Sequence, residues 1–276
     1  MTQIDDRLEK AKDILRQLGS VLIAFSGGVD SSFLARLAHE TLGKKALAVT
    51  ATSETYPSFE YEQAVQVAKE IGIAHHTIHT EELSIEGFKN NPPNRCYFCK
   101  KELFQKLLDL AKERGLAHVV DGANADDTGD WRPGLQAARE LGVRSPLLEA
   151  DLTKQDIRDL SKRMGLSTWD KPSYACLSSR FPYGKTITPE ALHKVAHAEE
   201  FLRSLGFRQF RVRHHDTIAR IEVEASAFPK LLEPATRERI LARFKEIGYA
   251  YVAVDLQGYR TGSMNEVLPE RKAETR

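Results

Sequence analysis

Cysteine is scarce in this chain, with three thiols in 276 residues. Three cannot build the multi-bridge framework of a small secreted domain, and the opening MTQIDDRLEKAKD is acidic and polar where a signal peptide is basic and then apolar. A reduced, cytoplasmic setting is therefore expected. No apolar run approaches the roughly 20 residues that cross a bilayer. Charge of one sign is missing too: 40 basic and 39 acidic residues leave a net +1, so no global field draws in nucleic acid or an anionic membrane. Internal repeats and low-complexity tracts are also absent. The length suffices for one large core or two modest ones.

A further absence concerns phosphate chemistry. No G-x-x-x-x-G-K-[ST] occurs, so no Walker lysine reaches the outer phosphates of a nucleotide. In its place stands VLIAFSGGVDSS at 21–32. Val21 to Phe25 is an apolar run of strand length, Ser26, Gly27 and Gly28 make a polar turn, and Phe33, Leu34, Leu37, Ala38 and Leu42 recur at helical spacing. Strand, glycine turn, helix leaves unpaired N–H groups at a helix N-terminus, a site for phosphate. Ser26, Ser31 and Ser32 add hydroxyl donors, and Val29 lies between them and the glycines. Asp30 would repel phosphate unless a divalent cation stood between them, which implies Mg²⁺.

SGGVDS resembles the pyrophosphate loop of the N-type ATP pyrophosphatases, among them asparagine synthetase, GMP synthetase, NAD synthetase and the tRNA thiolases. That resemblance implies that the loop grips the β,γ-pyrophosphate of ATP while an acceptor oxygen attacks the α-phosphorus. The pattern around it agrees. Strands are expected at 46–52, 74–80 and 117–120, alternating with helices, which argues for an α/β doubly wound parallel sheet. Thr50, Ala51 and Thr52 end the second strand, where such sheets meet their ligands. The resemblance gives that edge the adenine and ribose, and it lays DGANADD, with Gly122, Asn124 and Asp126, over the nucleotide. It also makes SPLLEADLTKQDIRDLSKRMGL a fifth strand and helix. His75, His76 and His79 read as ordinary polar strand positions.

The alternation breaks near Trp169. A first domain is expected over 1–185 and a small α+β domain over 186–276. The second has a helix opened by Thr188-Pro189, a strand carrying Arg211 and Arg213 on one face, a partner strand at 218–223, a helix over 228–247 and a strand at 249–254. The residues after Asn265 are charged and expected to fray. Cys96-x-x-Cys99 and Cys176 are expected in loops. No histidine has the spacing to complete a zinc site with them. A cubane iron–sulfur cluster can use three cysteines and leave one iron open, and incidental buried thiols are the alternative.

KPSYACLSSRFPYG, RVR at 211–213 and DLQGYRTGSMN together resemble the LarE family, from about Leu15 to Asn265. The resemblance implies an ATP-dependent sulfur transferase that adenylates the carboxylates of a pyridinium-3,5-dicarboxylate mononucleotide and replaces AMP with sulfur. The products are thiocarboxylates for the nickel-pincer cofactor of lactate racemase. Three cysteines imply the style in which Cys96, Cys99 and Cys176 hold a [4Fe–4S] cluster with a transferable sulfide. The alternative is a sacrificial Cys176 that ends as dehydroalanine. The resemblance casts Ser179, Arg180, Arg211 and Arg213 as the clamp on the substrate phosphate, and a pair of arginines on one strand face can grip phosphate bidentately. It sets Glu199 and Glu222 near a metal, with Lys230 where a further acidic position would fall, and it implies a homo-oligomer. Two rivals share the loop. A tRNA thiolase would want a basic groove, and a non-catalytic nucleotide-binding regulator would not need Asp30 and three placed thiols.

Overall fold

The computed structural model describes residues 2–129, 133–172, 174–260 and 262–268. Arg132, Ser173, Thr261 and the charged stretch beyond 268, all noted in the sequence, lie outside the described residues. The chain forms two compact units, Met1–Tyr174 and Ala175–Arg276.

In the first unit, α1 (Gln3–Leu18) buries Ala11, Leu15 and Leu18 and stops at Gly19, whose φ of +73° suits glycine. Then β1 (Val21–Ala24) leads through the glycine turn into α2 (Val29–Leu42). The sequence continues through β2 (Ala46–Thr52), α3 (Ser58–Ile71), β3 (Ala74–His79), a helix at Arg95–Glu113 and β4 (His118–Val120). The strands form one parallel sheet in the order β3-β2-β1-β4, which puts the glycine turn at its centre. Along β1 the side chains alternate: Val21 and Ile23 join the cluster of Phe33, Leu34 and Leu37 from α2, while Leu22 joins that of Phe104 and Leu107 from the helix Arg95–Glu113. Both faces are therefore covered, as a doubly wound sheet requires. Each such fully buried aliphatic side chain contributes roughly 1.5–3 kcal/mol.

Two expectations are corrected. The fifth strand shrinks to a single bridge between Val120 and Arg144, and Pro146–Glu149 is a short helix. Pro146 has no N–H for a ladder and sits at a helix N1 position, where proline is favoured. Cys96 and Cys99 lie not in a loop but in the first two turns of the helix that starts at Arg95.

The second unit opens with the 3₁₀ turn Leu177–Arg180 and the helix Pro189–Ser204, whose Thr188 Oγ1 accepts the Ala191 N–H at 3.2 Å. Next, β5 (Phe210–His215) pairs antiparallel with β6 (Ile218–Val223), and β7 (Tyr251–Val254) runs parallel to β6. Phe210, Val212, Ile221, Phe244 and Tyr249 belong to its core. The helix expected over 228–247 is broken into Phe228–Leu232 and Pro234–Ile247, because the proline holds Glu233 at an extended ψ of 132°. This unit begins at Ala175, ahead of the boundary expected at 185. The CLSSR stretch is hydrogen-bonded to the helix and sheet that follow it.

Candidate functional site

The glycine turn is built to hold an anion. Gly27 has a φ of +65°, and a Cβ there would lie 2.7 Å from Ala64 Cα on α3. Only glycine fits that approach. Gly28 is extended and caps α2, so the N–H groups of Val29, Asp30 and Ser31 open the helix with its dipole behind them. Val29 itself points its side chain into the core. Ser31 Oγ accepts the Ser26 N–H at 3.2 Å and lies 3.1 Å from Ser26 Oγ, which fixes both hydroxyls at the turn. Ser32 Oγ is buried with no hydrogen-bond partner. Thr50, at the end of β2, donates to Phe25 O at 2.9 Å and meets His75 Nε2 at 2.8 Å, while Thr52 donates to Ile78 O. Ala51, between them, is half-buried. His75 thus props the strand end, and burial beside His76 pushes its pKa below the ordinary value.

DGANADD packs directly on the turn. A Cβ on Gly122 would stand 3.0 Å from Ser31 N and 3.2 Å from the Asp30 carbonyl carbon. Asn124 Oδ1 accepts the Asp126 N–H, and Asp126 Oδ2 accepts the Lys154 N–H at 2.8 Å. The same Lys154 sets its ammonium on Asp30 Oδ2. Asp30 Oδ1 is buried with no partner. Burial pushes the Asp30 carboxyl above its usual range, against the pull of Lys154. A carboxylate with one oxygen orphaned beside a phosphate turn fits a divalent cation.

Sequence reasoning missed two lysines. Lys154 is one, and Lys171 is the other: its Nζ donates to Gly27 O at 3.1 Å and pairs with buried Glu60 at 2.9 Å. Both belong to polar stretches far along the chain, and nothing in their local pattern points to the turn. Together they bring positive charge to a loop that has no Walker lysine.

The second unit gathers arginines. A cleft of about 190 Å³ is lined by Ser179, Tyr183, Arg213, His215, Arg220 and Arg260, among others. Arg213 pairs with both oxygens of Glu222 at 2.8 and 2.9 Å and donates to Ser179 O and Ser263 Oγ. Arg211 stacks over the Tyr259 ring at 5.0 Å and donates to Phe210 O. Arg180 is 1% exposed and faces inward, with Nε and Nη2 on the two oxygens of Glu199 at 2.8 and 2.7 Å.

In this structure the residues expected at the phosphate and metal have protein partners. Arg180 lines the same cleft and donates from Nε, Nη1 and Nη2 to protein acceptors. Glu199 and Glu222 are counterions of Arg180 and Arg213, and a metal at either carboxylate would have to displace an arginine. Burial works against the Glu199 charge, but the Arg180 guanidinium overrides it and holds the carboxyl below its usual range. Lys230 lies over the Phe207 ring at 5.1 Å.

The cysteines divide between the units. Cys96 is exposed, Cys99 is half-buried with Sγ 3.9 Å from Glu82 Oε1, and Cys176 precedes the turn Leu177–Arg180. Among the described residues, no group of three or more His, Cys, Asp or Glu is placed to hold a metal ion. None of the described helices is long and apolar enough to cross a membrane.

A central strand, a glycine turn onto a helix N-terminus and an acidic residue in that first turn define a nucleotide-binding α/β protein of the pyrophosphate-loop class. The asparagine synthase family model matches residues 3–87. The chain is 44% identical over 265 residues to the uncharacterized protein slr1717 of Synechocystis, covering 96% of this chain and 99% of that one. It is 40% identical over 262 residues to the pyridinium-3,5-bisthiocarboxylic acid mononucleotide synthase of Lactiplantibacillus plantarum, covering 95% of this chain and 94% of the relative. A tRNA-specific 2-thiouridylase of Rickettsia africae is 28% identical over 191 residues, 55% of this chain and 52% of that one. The chain belongs to the LarE family, that of the pyridinium-3,5-bisthiocarboxylic acid mononucleotide synthases.

Proposed function

We propose that this protein uses ATP to convert the carboxylates of a pyridinium-3,5-dicarboxylate mononucleotide into thiocarboxylates. The observation that carries the reading is the glycine turn with orphaned Asp30 Oδ1 beside it, in a chain that is similar over nearly its full length to a synthase of that product. A substrate carboxylate oxygen attacks the α-phosphorus of ATP and pyrophosphate leaves. The N–H groups at the start of α2 and the hydroxyls of Ser26, Ser31 and Ser32 receive the charge that develops on the leaving group. Thr50, Ala51, Thr52, Gly122, Asn124 and Asp126 border the nucleotide. Asp30 holds Mg²⁺, which neutralises the phosphate oxygens. Sulfide sulfur then attacks the acyl carbon, AMP leaves, and the second carboxylate repeats the cycle.

The arginine-lined cleft of the second unit suits the substrate phosphate. Ser179 and Arg213 line it and are its contacts in this reading, with Arg213 exchanging Glu222 for the ligand, while Arg211, on the same strand, stands over Tyr259. The basic surface is local, and it gives no long groove for RNA, so the tRNA thiolase reading is not favoured.

The sulfur is held at Cys96, Cys99 and Cys176. A [4Fe–4S] cluster on Cys96, Cys99 and Cys176 would supply a transferable sulfide. In the second reading Cys176 Sγ attacks the acyl carbon, AMP leaves, and β-elimination leaves dehydroalanine and a thiocarboxylate. Iron and acid-labile sulfide after anaerobic purification, with intact mass after turnover, separate the two. About four irons per chain and an unchanged mass identify the cluster route. An iron-free chain that has lost the elements of H₂S identifies the sacrificial route. Absence of any sulfur-bearing product with either form of the protein would reject the function itself.

A further inference from the structure

Arg180 donates from all three of its guanidinium nitrogens to protein acceptors. Nε and Nη2 meet the two oxygens of Glu199. Nη1 meets Ala175 O, Cys176 O at 2.9 Å and Ser179 Oγ at 2.9 Å. Glu199 in turn accepts the Val212 N–H of β5 at 3.0 Å on Oε1. A chain of charge-assisted contacts therefore runs from the sheet, through a helix carboxylate and a buried guanidinium, to two successive carbonyls that end at Cys176. The Ser179 N–H closes back on Cys176 O at 3.0 Å and completes the turn. A buried pair is costly to desolvate and weak as a source of stability, and here its geometry fixes one backbone conformation. Cys176 itself, at φ −52° and ψ 153°, is held extended just ahead of a tight turn, and nothing in its own sequence imposes that.

We infer that Arg180 is a positioning residue. Braced by Glu199, it holds the backbone at Ala175 and Cys176 and so aims the Cys176 thiol. This deepens the proposed function and rests on it for the sulfur-transfer step alone. The planar fork of arginine is essential to the geometry. A lysine at 180 keeps the charge but cannot span a carboxylate and two carbonyls at once.

The test is Arg180→Lys in the full chain, with Glu199→Gln as a milder second variant that weakens the brace and leaves the guanidinium in place. Three readouts are taken with the mononucleotide, ATP, Mg²⁺ and sulfide: pyrophosphate release, KM for the mononucleotide, and the single-turnover rate of thiocarboxylate formation. Amide hydrogen exchange over 174–181 reports the turn itself. In Arg180→Lys we expect pyrophosphate release within about twofold of the parent at saturating mononucleotide, faster exchange at the Ser179 amide, and sulfur transfer slowed on the order of 100-fold, the scale of an ångström's misplacement. Glu199→Gln is expected to show the same pattern, less severely. A raised KM with an unchanged transfer rate would overturn the inference and put Arg180 on the phosphate. Full rescue by lysine would overturn it as well, since charge alone would then suffice. If the parent protein released no pyrophosphate, the proposed function would fail while the exchange experiment still judged the brace.

Discussion

Lys154 opens the helix Lys154–Arg163 with its ammonium on Asp30 Oδ2, while its own N–H is held by Asp126. One residue thus ties the acidic segment after β4 to the first turn of α2. It also occupies one oxygen of the carboxylate a divalent cation would bind, leaving Oδ1 as the open one.

Removing that competitor changes cation binding in a stated direction. Lys154→Met is expected to tighten Mn²⁺ binding to the nucleotide-free protein by roughly two- to fivefold, the worth of a partly screened pair of about 0.5–1 kcal/mol. Titration followed by electron paramagnetic resonance measures it. Weaker Mn²⁺ binding would mean that Lys154 positions Asp30 instead of blocking it.

Gly27 carries the second prediction. Its positive φ and the 2.7 Å approach to Ala64 leave no room for a methyl group. Gly27→Ala is expected to abolish ATP binding in isothermal titration while the second unit's near-ultraviolet signature is retained. Gly28→Ala, at an ordinary φ with only Ser26 Oγ at 3.4 Å, is expected to cost less.

The two units differ from their sequence portraits in instructive ways. Alternation in VLIA, the helical spacing after Ser31 and the glycine stops made β1, α2 and their neighbours readable, because those signals are local. Pro146 and Pro234 were visible too, yet their consequences, a lost strand and a broken helix, were not drawn from them. The pairing of Arg180 with Glu199 and of Lys171 with Gly27 joins residues distant in sequence, and no periodicity encodes such partners. Basic residues in a motif look alike before folding. Only the fold shows that Arg180 pairs with Glu199 and Arg213 with Glu222.

The second unit's stability should fall with acid. Burial lowers the His214 pKa from the ordinary value, and Lys194 and His215 add to that against Asp216. His215 is lowered by burial and by Arg220 and Arg213. A group with a depressed folded pKa binds more protons when unfolded, so stability is full above the unfolded value near 6.5 and declines as pH drops through it. Tm measured from pH 7.5 to 5.5 should decrease, and His214→Gln should flatten the curve. An unchanged slope in that variant would assign the pH dependence elsewhere.

The most direct measurement of the proposed chemistry is pyrophosphate and AMP formation from ATP, with and without the pyridinium-3,5-dicarboxylate mononucleotide. The expected result is release of both only when the mononucleotide is present, lost in Asp30→Asn. Formation of ADP, or pyrophosphate release that needs transfer RNA and ignores the mononucleotide, would contradict it.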